Sequence, residues 1–273
     1  SIDHTQGIIN LVKPLDRETK DTYFIKIQAA DQGMPPLTSM AVLNITISDI
    51  NDNAPEFVQS IQQTTVPENT EIGTEVMRVL ATSQDIGINA EITYSIEHTT
   101  TESFLKIHPK TGIISVSEIL DYERMQQILC TIIATDGGIP PLSSTAVANI
   151  TITDINDNAP IFSESSYIIS LQEDADINSS ILQLTANDVD TGLNGEITYA
   201  ILPNELYLPF EINGNTGLLM LDHYLDREKV EKYEIDIEAR DRGTPSNSQV
   251  TRIFIHVADV NDNAPLLSQQ MTL

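Results

Sequence analysis

The string Asp-Ile-Asn-Asp-Asn-Ala-Pro occupies residues 49–55 and again 154–160, and it returns as Asp-Val-Asn-Asp-Asn-Ala-Pro at 259–265. The interval is constant: 154 − 49 = 105 and 259 − 154 = 105. A fixed period of this kind means one structural unit repeated in a row rather than one large globule. Each string packs carboxylates and side-chain amides ahead of an Ala-Pro step, and proline lacks the N–H that a regular ladder or helix needs. So dense a set of hard oxygen donors, on a segment that cannot continue as a regular element, suits calcium.

The period governs much more than this string. Asp16, Asp121 and Asp226 share it, each two residues before Glu18, Glu123 or Glu228. Asp31, Asp136 and Asp241 share it too, each two residues after Ala29, Ala134 or Ala239. Gly7, Gly112 and Gly217 keep the interval, as do the pairs Glu68 and Glu173, and Asp85 and Asp190. No insertion disturbs the register. It predicts the C-terminal half of one copy at 1–54, complete copies at 55–159 and 160–264, and the start of a further copy at 265–273.

Within a copy the apolar period is two, which is the period of a strand. Tyr233, Ile235, Ile237 and Ala239 alternate with Glu234, Asp236 and Glu238; Ile253, Ile255 and Val257 alternate with Phe254 and His256. Gly-Leu-Asn-Gly at 192–195, Asn-Gly-Asn at 213–215 and Arg-Gly-Thr-Pro at 242–245 punctuate the runs as turns. About seven short strands per copy predict an all-β chain of tandem sandwiches. The Cys…Trp…Cys spacing of an immunoglobulin domain is absent, since the chain has no tryptophan.

Lys and Arg number 14 against 40 Asp and Glu, a formal charge of −26, which excludes nucleic acid and anionic membrane surfaces as partners. Acidic chains poor in aromatics can be disordered, but 40% of these residues are hydrophobic and they alternate. The single cysteine, Cys130, aligns with Ile25 and Ile235 and is expected as a free thiol in the core. The histidines show no ligand spacing. The sequence has no apolar run long enough to span a bilayer and no leader, so membrane anchorage is expected only through segments outside this piece.

Two catalytic or metal motifs resemble parts of the repeat and fail. An EF-hand loop opening at Asp154 needs Gly at its sixth position and Glu at its twelfth; Ala159 and Ser165 stand there. Asp190-Thr191-Gly192 matches an aspartic-protease string, but its counterpart is Asp85-Ile86-Gly87 in a different copy, whereas that chemistry needs two carboxylates in one cleft. No nucleophile, base and orienting group converge, so no enzyme is expected.

Pro67-Glu68-Asn69, Leu120-Asp121-Tyr122-Glu123, the string at 154–160, Asp-Val-Asp-Thr-Gly-Leu-Asn-Gly at 188–195 and Ala239-Arg240-Asp241 follow one another in fixed order. In that order and spacing they resemble the extracellular repeats of cadherins, over the whole chain. The resemblance implies seven-stranded Greek-key sandwiches in a linear array, with three calcium ions in each linker. Carried over, Glu68, Asp121, Glu123 and Asp157 would hold the outermost ion. Glu68, Glu123, Asp154, the Ile155 carbonyl, Asp157 and Asp190 would hold the second. Asn156, the Asn158 carbonyl, Asp188, Asp190, the Asn194 carbonyl and Asp241 would hold the third. The eight acids among these (Glu68, Asp121, Glu123, Asp154, Asp157, Asp188, Asp190, Asp241) against three divalent ions leave −8 + 6 = −2.

The first linker has Asp16, Glu18, Asp49, Ile50, Asn51, Asp52, Asn53, Asp85, Asn89 and Asp136 in the matching positions, but Ser83 stands where register expects the acid that Asp188 supplies. Weaker occupancy of its third position is expected. The last linker has Glu173, Asp226, Glu228, Asp259, Asn261, Asp262 and Asn263, expected to form only half a site, and Asp31 is likewise without a partner set.

The resemblance is strongest to Fat-like and protocadherin-type members, on residues 83–96 in particular. It implies calcium-dependent cell–cell adhesion or recognition, on the extracellular side of the plasma membrane, by a single-pass protein. Partners would be other cadherin ectodomains, homophilic or heterophilic, such as a Dachsous-type cadherin. The alternative is an extracellular spacer rod without adhesive contact. Asn44, Asn149 and Asn178 open N-x-Ser/Thr sequons and are candidate glycosylation sites.

Overall fold

A computed structural model describes residues 1–97, 104–203 and 207–264. The expected fourth copy at 265–273 lies outside the described residues. Apart from one 3-10 turn at Gly87–Ala90, the described elements are strands. The chain divides into two compact units, one from residue 1 to 121 with 125–153, the other from residue 154 onward with 122–124.

The first unit opens with an antiparallel hairpin, β1 (Thr22–Ala30) and β2 (Thr38–Thr46). There follow β3 (Glu56–Phe57), β4 (Ile61–Pro67), β5 (Glu75–Arg78), β6 (Ala81–Thr82), β7 (Thr93–Glu97), β8 (Leu105–Ile107), β9 (Ile113–Val116), β10 (Gln127–Thr135) and β11 (Ser143–Thr153). They pair as sheets ordered β4-β11-β10-β7, β5-β9-β8 and β3-β6. The second unit repeats the plan with β12 (Ile161–Phe162), β13 (Ser166–Gln172), β14 (Ser180–Gln183), β15 (Ala186–Asn187), β16 (Thr198–Ile201), β17 (Phe210–Ile212), β18 (Leu218–Leu221), β19 (Lys232–Arg240) and β20 (Ser248–Ala258). Its sheets run β13-β20-β19-β16, β14-β18-β17 and β12-β15.

Most ladders are antiparallel; the exceptions are β4 with β11 and β13 with β20, where the opening strand of a sandwich lies parallel to its closing one. The seven expected strands are present, but the first and second of each sandwich are broken into two segments. β3 and β4 are one such strand, β5 and β6 the other, so each sandwich shows nine segments.

Alternation translates directly into a core. Tyr233, Ile235, Ile237, Ala239, Ile253, Ile255 and Val257 are buried and pack with Phe210, Leu219, Leu221 and Leu184. Fully burying one such aliphatic side chain contributes about 1.5–3 kcal/mol. Ile132, Ala134, Ala148, Ile150 and Ile152 are the buried counterparts in the first unit. Cys130 is free and half-buried, cross-strand from Ala148, so it sits at the margin of the core rather than within it.

A tyrosine fixes the loop that matters most. Tyr94 leans on Phe57, and its hydroxyl accepts the Ala81 N–H at 2.9 Å. Tyr199 leans on Phe162 and accepts the Ala186 N–H at 2.9 Å. Each bond pins a two-residue strand, β6 or β15, from which the loops holding Asp85 and Asp190 leave.

Candidate metal centres

Burying a carboxylate is costly unless hydrogen bonds or opposite charge compensate it. Among the described residues the buried acids are Glu68, Asp85, Asp136, Glu173, Asp190 and Asp241, all below 8% exposure. Every one belongs to the ligand set expected from the sequence.

Each is placed by a local backbone device. Asp136 closes the β10–β11 loop: its Oδ1 accepts the N–H groups of Gly138 and Leu142, both at 3.0 Å. Asp241 closes the β19–β20 loop, accepting from Gly243 at 2.9 Å and Asn247 at 2.8 Å. Exposed Asp31 makes the same closure with Gly33 and Leu37, at 3.0 and 2.9 Å, and the Leu37 and Gly33 N–H groups hold its carboxyl below the usual carboxylate range. Glu68 follows β4, where its N–H donates to the Thr153 carbonyl at 3.1 Å, and its carboxylate lies within 4.8 Å of that of Asp121. Glu173 holds the last linker, accepting from Val260 at 2.7 Å and Arg227 at 2.9 Å.

The linker strings fold alike. Asp52, Asp157 and Asp262 donate their N–H to the carbonyls of Ile50, Ile155 and Val260, at 3.0, 2.9 and 2.8 Å. Asn53, Asn158 and Asn263 donate from Nδ2 to the adjacent Asp52, Asp157 and Asp262 at 2.7, 2.8 and 2.6 Å. Asn53 also reaches Asp85 Oδ1 at 2.8 Å, and Asn158 reaches Asp190 Oδ1 at 2.7 Å.

Carboxylates gather in groups as a result. Glu18, Asp49 and Asp85 bring oxygens within 4.8 Å of one another in the first unit. Glu123, Asp154 and Asp190 do so in the second, and Glu173, Glu228 and Asp259 do so at its far end. Asp226, close in sequence to that last group, pairs with Lys229 of its own turn at 2.6 Å; Asp16 likewise bonds Thr19 at 2.8 Å. Asn261 is exposed.

In and around these groups several oxygens are buried without any hydrogen-bond partner: Asp49 Oδ1, Asn51 Oδ1, Asp136 Oδ2, Asp154 Oδ1, Asn156 Oδ1 and Asp188 Oδ2. Asn51 and Asn156 are oriented by their other atom, with Nδ2 donating to Asp136 and Asp241 at 3.2 and 3.0 Å and to the Pro140 and Pro245 carbonyls at 2.8 and 2.6 Å. Glycine makes room for them. A Cβ on Gly138 would stand 2.1 Å from Asn51 Nδ2, and one on Gly243 2.3 Å from Asn156 Nδ2. Burial pushes the Asp188 carboxyl above its ordinary range, and the charges of Asp190 and Asp241 push it further, against the N–H donated by Asp190. Oriented, unpartnered, hard oxygens beside uncompensated negative charge fit a divalent cation of the calcium type, whose shell takes about six to eight oxygens.

Some contributors were not legible in the motifs. Asn89 and Asn194, expected through their carbonyls, also use their side chains, donating to Asp49 Oδ2 at 2.9 Å and Asp154 Oδ2 at 3.1 Å. Thr191 adds its N–H and hydroxyl to the same Asp154 oxygen, each at 2.9 Å. Asn247 donates to the Asn156 and Asn158 carbonyls at 3.0 and 2.9 Å; its counterpart one period earlier is Leu142, so the register gave no signal for it. Arg17 reaches into the first group, pairing with Glu18, with Asp49 Oδ1 at 2.5 Å and with the Gln84 carbonyl at 2.7 Å. The sequon asparagines differ in setting. Asn44 is exposed on β2. Asn149 is half-buried on β11 and accepts from Gln127 at 2.7 Å. Asn178 is exposed with φ 66°.

A family model described as the cadherin domain matches residues 1–48, 62–153 and 167–258. The chain is 41% identical to human Protocadherin Fat 1 over 270 residues, which is 98% of this chain and 6% of that protein. It is 36% identical to Protein dachsous of Drosophila melanogaster over 277 residues, 97% of this chain and 8% of that one. The crystal structure of mouse Cadherin-23 EC22-24 superposes with a TM-score of 0.79 at 30% identity, covering 91% of this chain and 78% of that chain.

Proposed function

The chain belongs to the cadherin family, and on that premise we propose that it is a calcium-binding ectodomain segment serving cell–cell adhesion or recognition. The observation that carries this is the match between burial and motif: every buried acid among the described residues lies in a linker group, and buried oxygens beside them lack partners. In the first linker Glu18, Asp49, Asp52, Asp85, Asp136 and Asn51 would hold calcium; in the second, the residues named from the sequence would do so. A bound divalent cation would neutralise these carboxylates and so stiffen the linker. The protein's own part is to keep the oxygens aimed: Asn53 and Asn158 hold the acids, Asp136 and Asp241 close the loops, and Gly138 and Gly243 leave space.

The chain spans about one sixteenth of Protocadherin Fat 1, with 6% of that protein covered, so the activity of a whole protein is a further proposal. We assign the parent to the extracellular side of the plasma membrane as a single-pass protein, with other cadherin ectodomains, homophilic or Dachsous-type, as partners, and with Asn44, Asn149 and Asn178 as glycan acceptors. A spacer role without adhesive contact is the second reading. Isothermal calcium titration of the chain, with small-angle scattering in calcium and in chelator, tests the proposal. Saturable uptake in the range of about 10⁻⁴ to 10⁻³ M, with a longer and stiffer particle in calcium, is expected; no uptake and an unchanged particle would refute it.

A further inference from the structure

The first two linkers share nearly every contact. Asn51 and Asn156 take the same partners, as do Asn53 and Asn158, and Asn89 and Asn194. Among the positions expected to hold the third ion they part at one, where Ser83 stands in the first and Asp188 in the second.

Asp188 has two roles. Its Oδ1 accepts the Asp190 N–H at 3.1 Å, which fixes the loop. Its Oδ2 is buried and unpartnered, available to a cation. Ser83 keeps only the loop-fixing role, its hydroxyl oxygen accepting the Asp85 N–H at 3.2 Å. It then donates to the Asn53 carbonyl at 3.2 Å. That carbonyl is the counterpart of an oxygen assigned to the third ion in the second linker. The substitution therefore removes one charge and one ligand; the bond to the carbonyl does not separate the linkers, since Asn247 donates to the Asn158 carbonyl at 2.9 Å. The remaining donors persist, since Asn51 Oδ1 is buried and unpartnered and so is Oδ2 of Asp136, a residue only 5% exposed. The position survives with its charge reduced from three acids (Asp188, Asp190, Asp241) to two (Asp85, Asp136).

We propose that the first linker holds its third calcium about tenfold or more weakly than the second, because calcium affinity follows ligand charge and site rigidity, and that Ser83 sets this difference. The linker at 49–53 is then a joint that responds to calcium at concentrations where the linker at 154–158 is already saturated. The inference rests on the calcium reading above and adds a ranking of the two linkers to it.

The test is a calcium titration of the intact chain followed by NMR, using the backbone amides of Asp85 and Asp190 as reporters of the two linkers. The Asp190 amide is expected to saturate at about tenfold or more lower calcium than the Asp85 amide. Ser83→Asp is expected to bring the Asp85 curve toward that of Asp190, and Asp188→Ser to move the Asp190 curve the other way. If Ser83→Asp is poorly folded, Ser83→Asn restores a ligand oxygen without the charge and gives a smaller shift in the same direction. Coincident curves in the unsubstituted chain, or an Asp85 curve indifferent to both Ser83 variants, overturn the proposal while leaving calcium binding intact. No calcium response at either amide overturns it together with the reading beneath it.

Discussion

Arg17 Nε lies 2.5 Å from Asp49 Oδ1 as an ion pair; that oxygen and its counterpart one period later, Asp154 Oδ1, are both buried with no hydrogen-bond partner, and Asp49 has Arg17 beside it. Tyr122 stands at the register position of Arg17 and brings no charge. The first linker thus carries its own cation against the Glu18, Asp49 and Asp85 group. Burial pushes the Asp49 carboxyl up, but the Asn89 amide, the Ile86 N–H and Arg17 together hold it below its usual range. Arg17→Gln is expected to lower the melting temperature of the chain in chelator and to matter less in saturating calcium, where the metal compensates the same carboxylates. Thermal melts of both proteins in both buffers check it; an equal loss in the two buffers would mean that Arg17 acts through packing alone.

Calcium-free stability should depend on pH through Asp188. Its carboxyl is held above its ordinary value of 3.8 by burial and by Asp190 and Asp241. The folded state therefore binds this proton more tightly than the unfolded chain does. The contribution is fully present below the ordinary value and is lost as pH rises through the elevated one. In chelator, Asp188→Asn is expected to stabilise the chain at neutral pH and to have no such effect at pH values below the ordinary carboxylate range. Urea midpoints measured across that interval decide it: a pH-independent gain would show that the charge of Asp188 is not what the fold resists.

How far the sequence reached can be judged at particular residues. Tyr233, Ile235 and Ile237 alternate with acids in the sequence and are buried in the structure, because a period of two has only one sheet face to fill. Glu68, Asp136 and Asp241 were marked by register and by the motifs around them, and the burial of the two aspartates follows from the loop closures they make. Arg17 escaped because a motif names a residue, whereas its role depends on which way a long, flexible side chain turns. The breaks between β3 and β4, and between β5 and β6, escaped because no proline or glycine marks them. Asn247 escaped because it departs from the period that guided everything else.

Glycine at 243 is a steric requirement rather than a turn preference. A Cβ there would meet Asn156 Nδ2 at 2.3 Å, and the displaced side chain would forfeit its bonds to Asp241 and Pro245. Gly243→Ala is expected to cost about 1–3 kcal/mol, the usual range for overpacking a filled site, and to weaken calcium uptake at the second linker only. Gly138→Ala, against Asn51 at 2.1 Å, should do the same at the first. Urea unfolding gives the stability change and calcium titration gives the uptake. Full retention of both would place Asn51 and Asn156 outside the metal groups.

Glu173 separates what a linker acid does for the fold from what it does for the ion. It is 5% exposed, and its two oxygens accept the Val260 and Arg227 N–H groups at 2.7 and 2.9 Å. Both bonds are charge-assisted, and removing the acceptor leaves two donors without a partner. Glu173→Ala is therefore expected to destabilise the chain by about 2–3 kcal/mol even in chelator, and Glu173→Gln by less, since an amide oxygen still accepts one of the two. Calcium should stabilise both variants less than it stabilises the unsubstituted chain, because Glu228 and Asp259 lose the third carboxylate of their group. Denaturant unfolding with and without calcium measures the two contributions separately. Should Glu173→Ala lose stability only when calcium is present, the backbone bonds would count for little and the metal for nearly all of this residue's role.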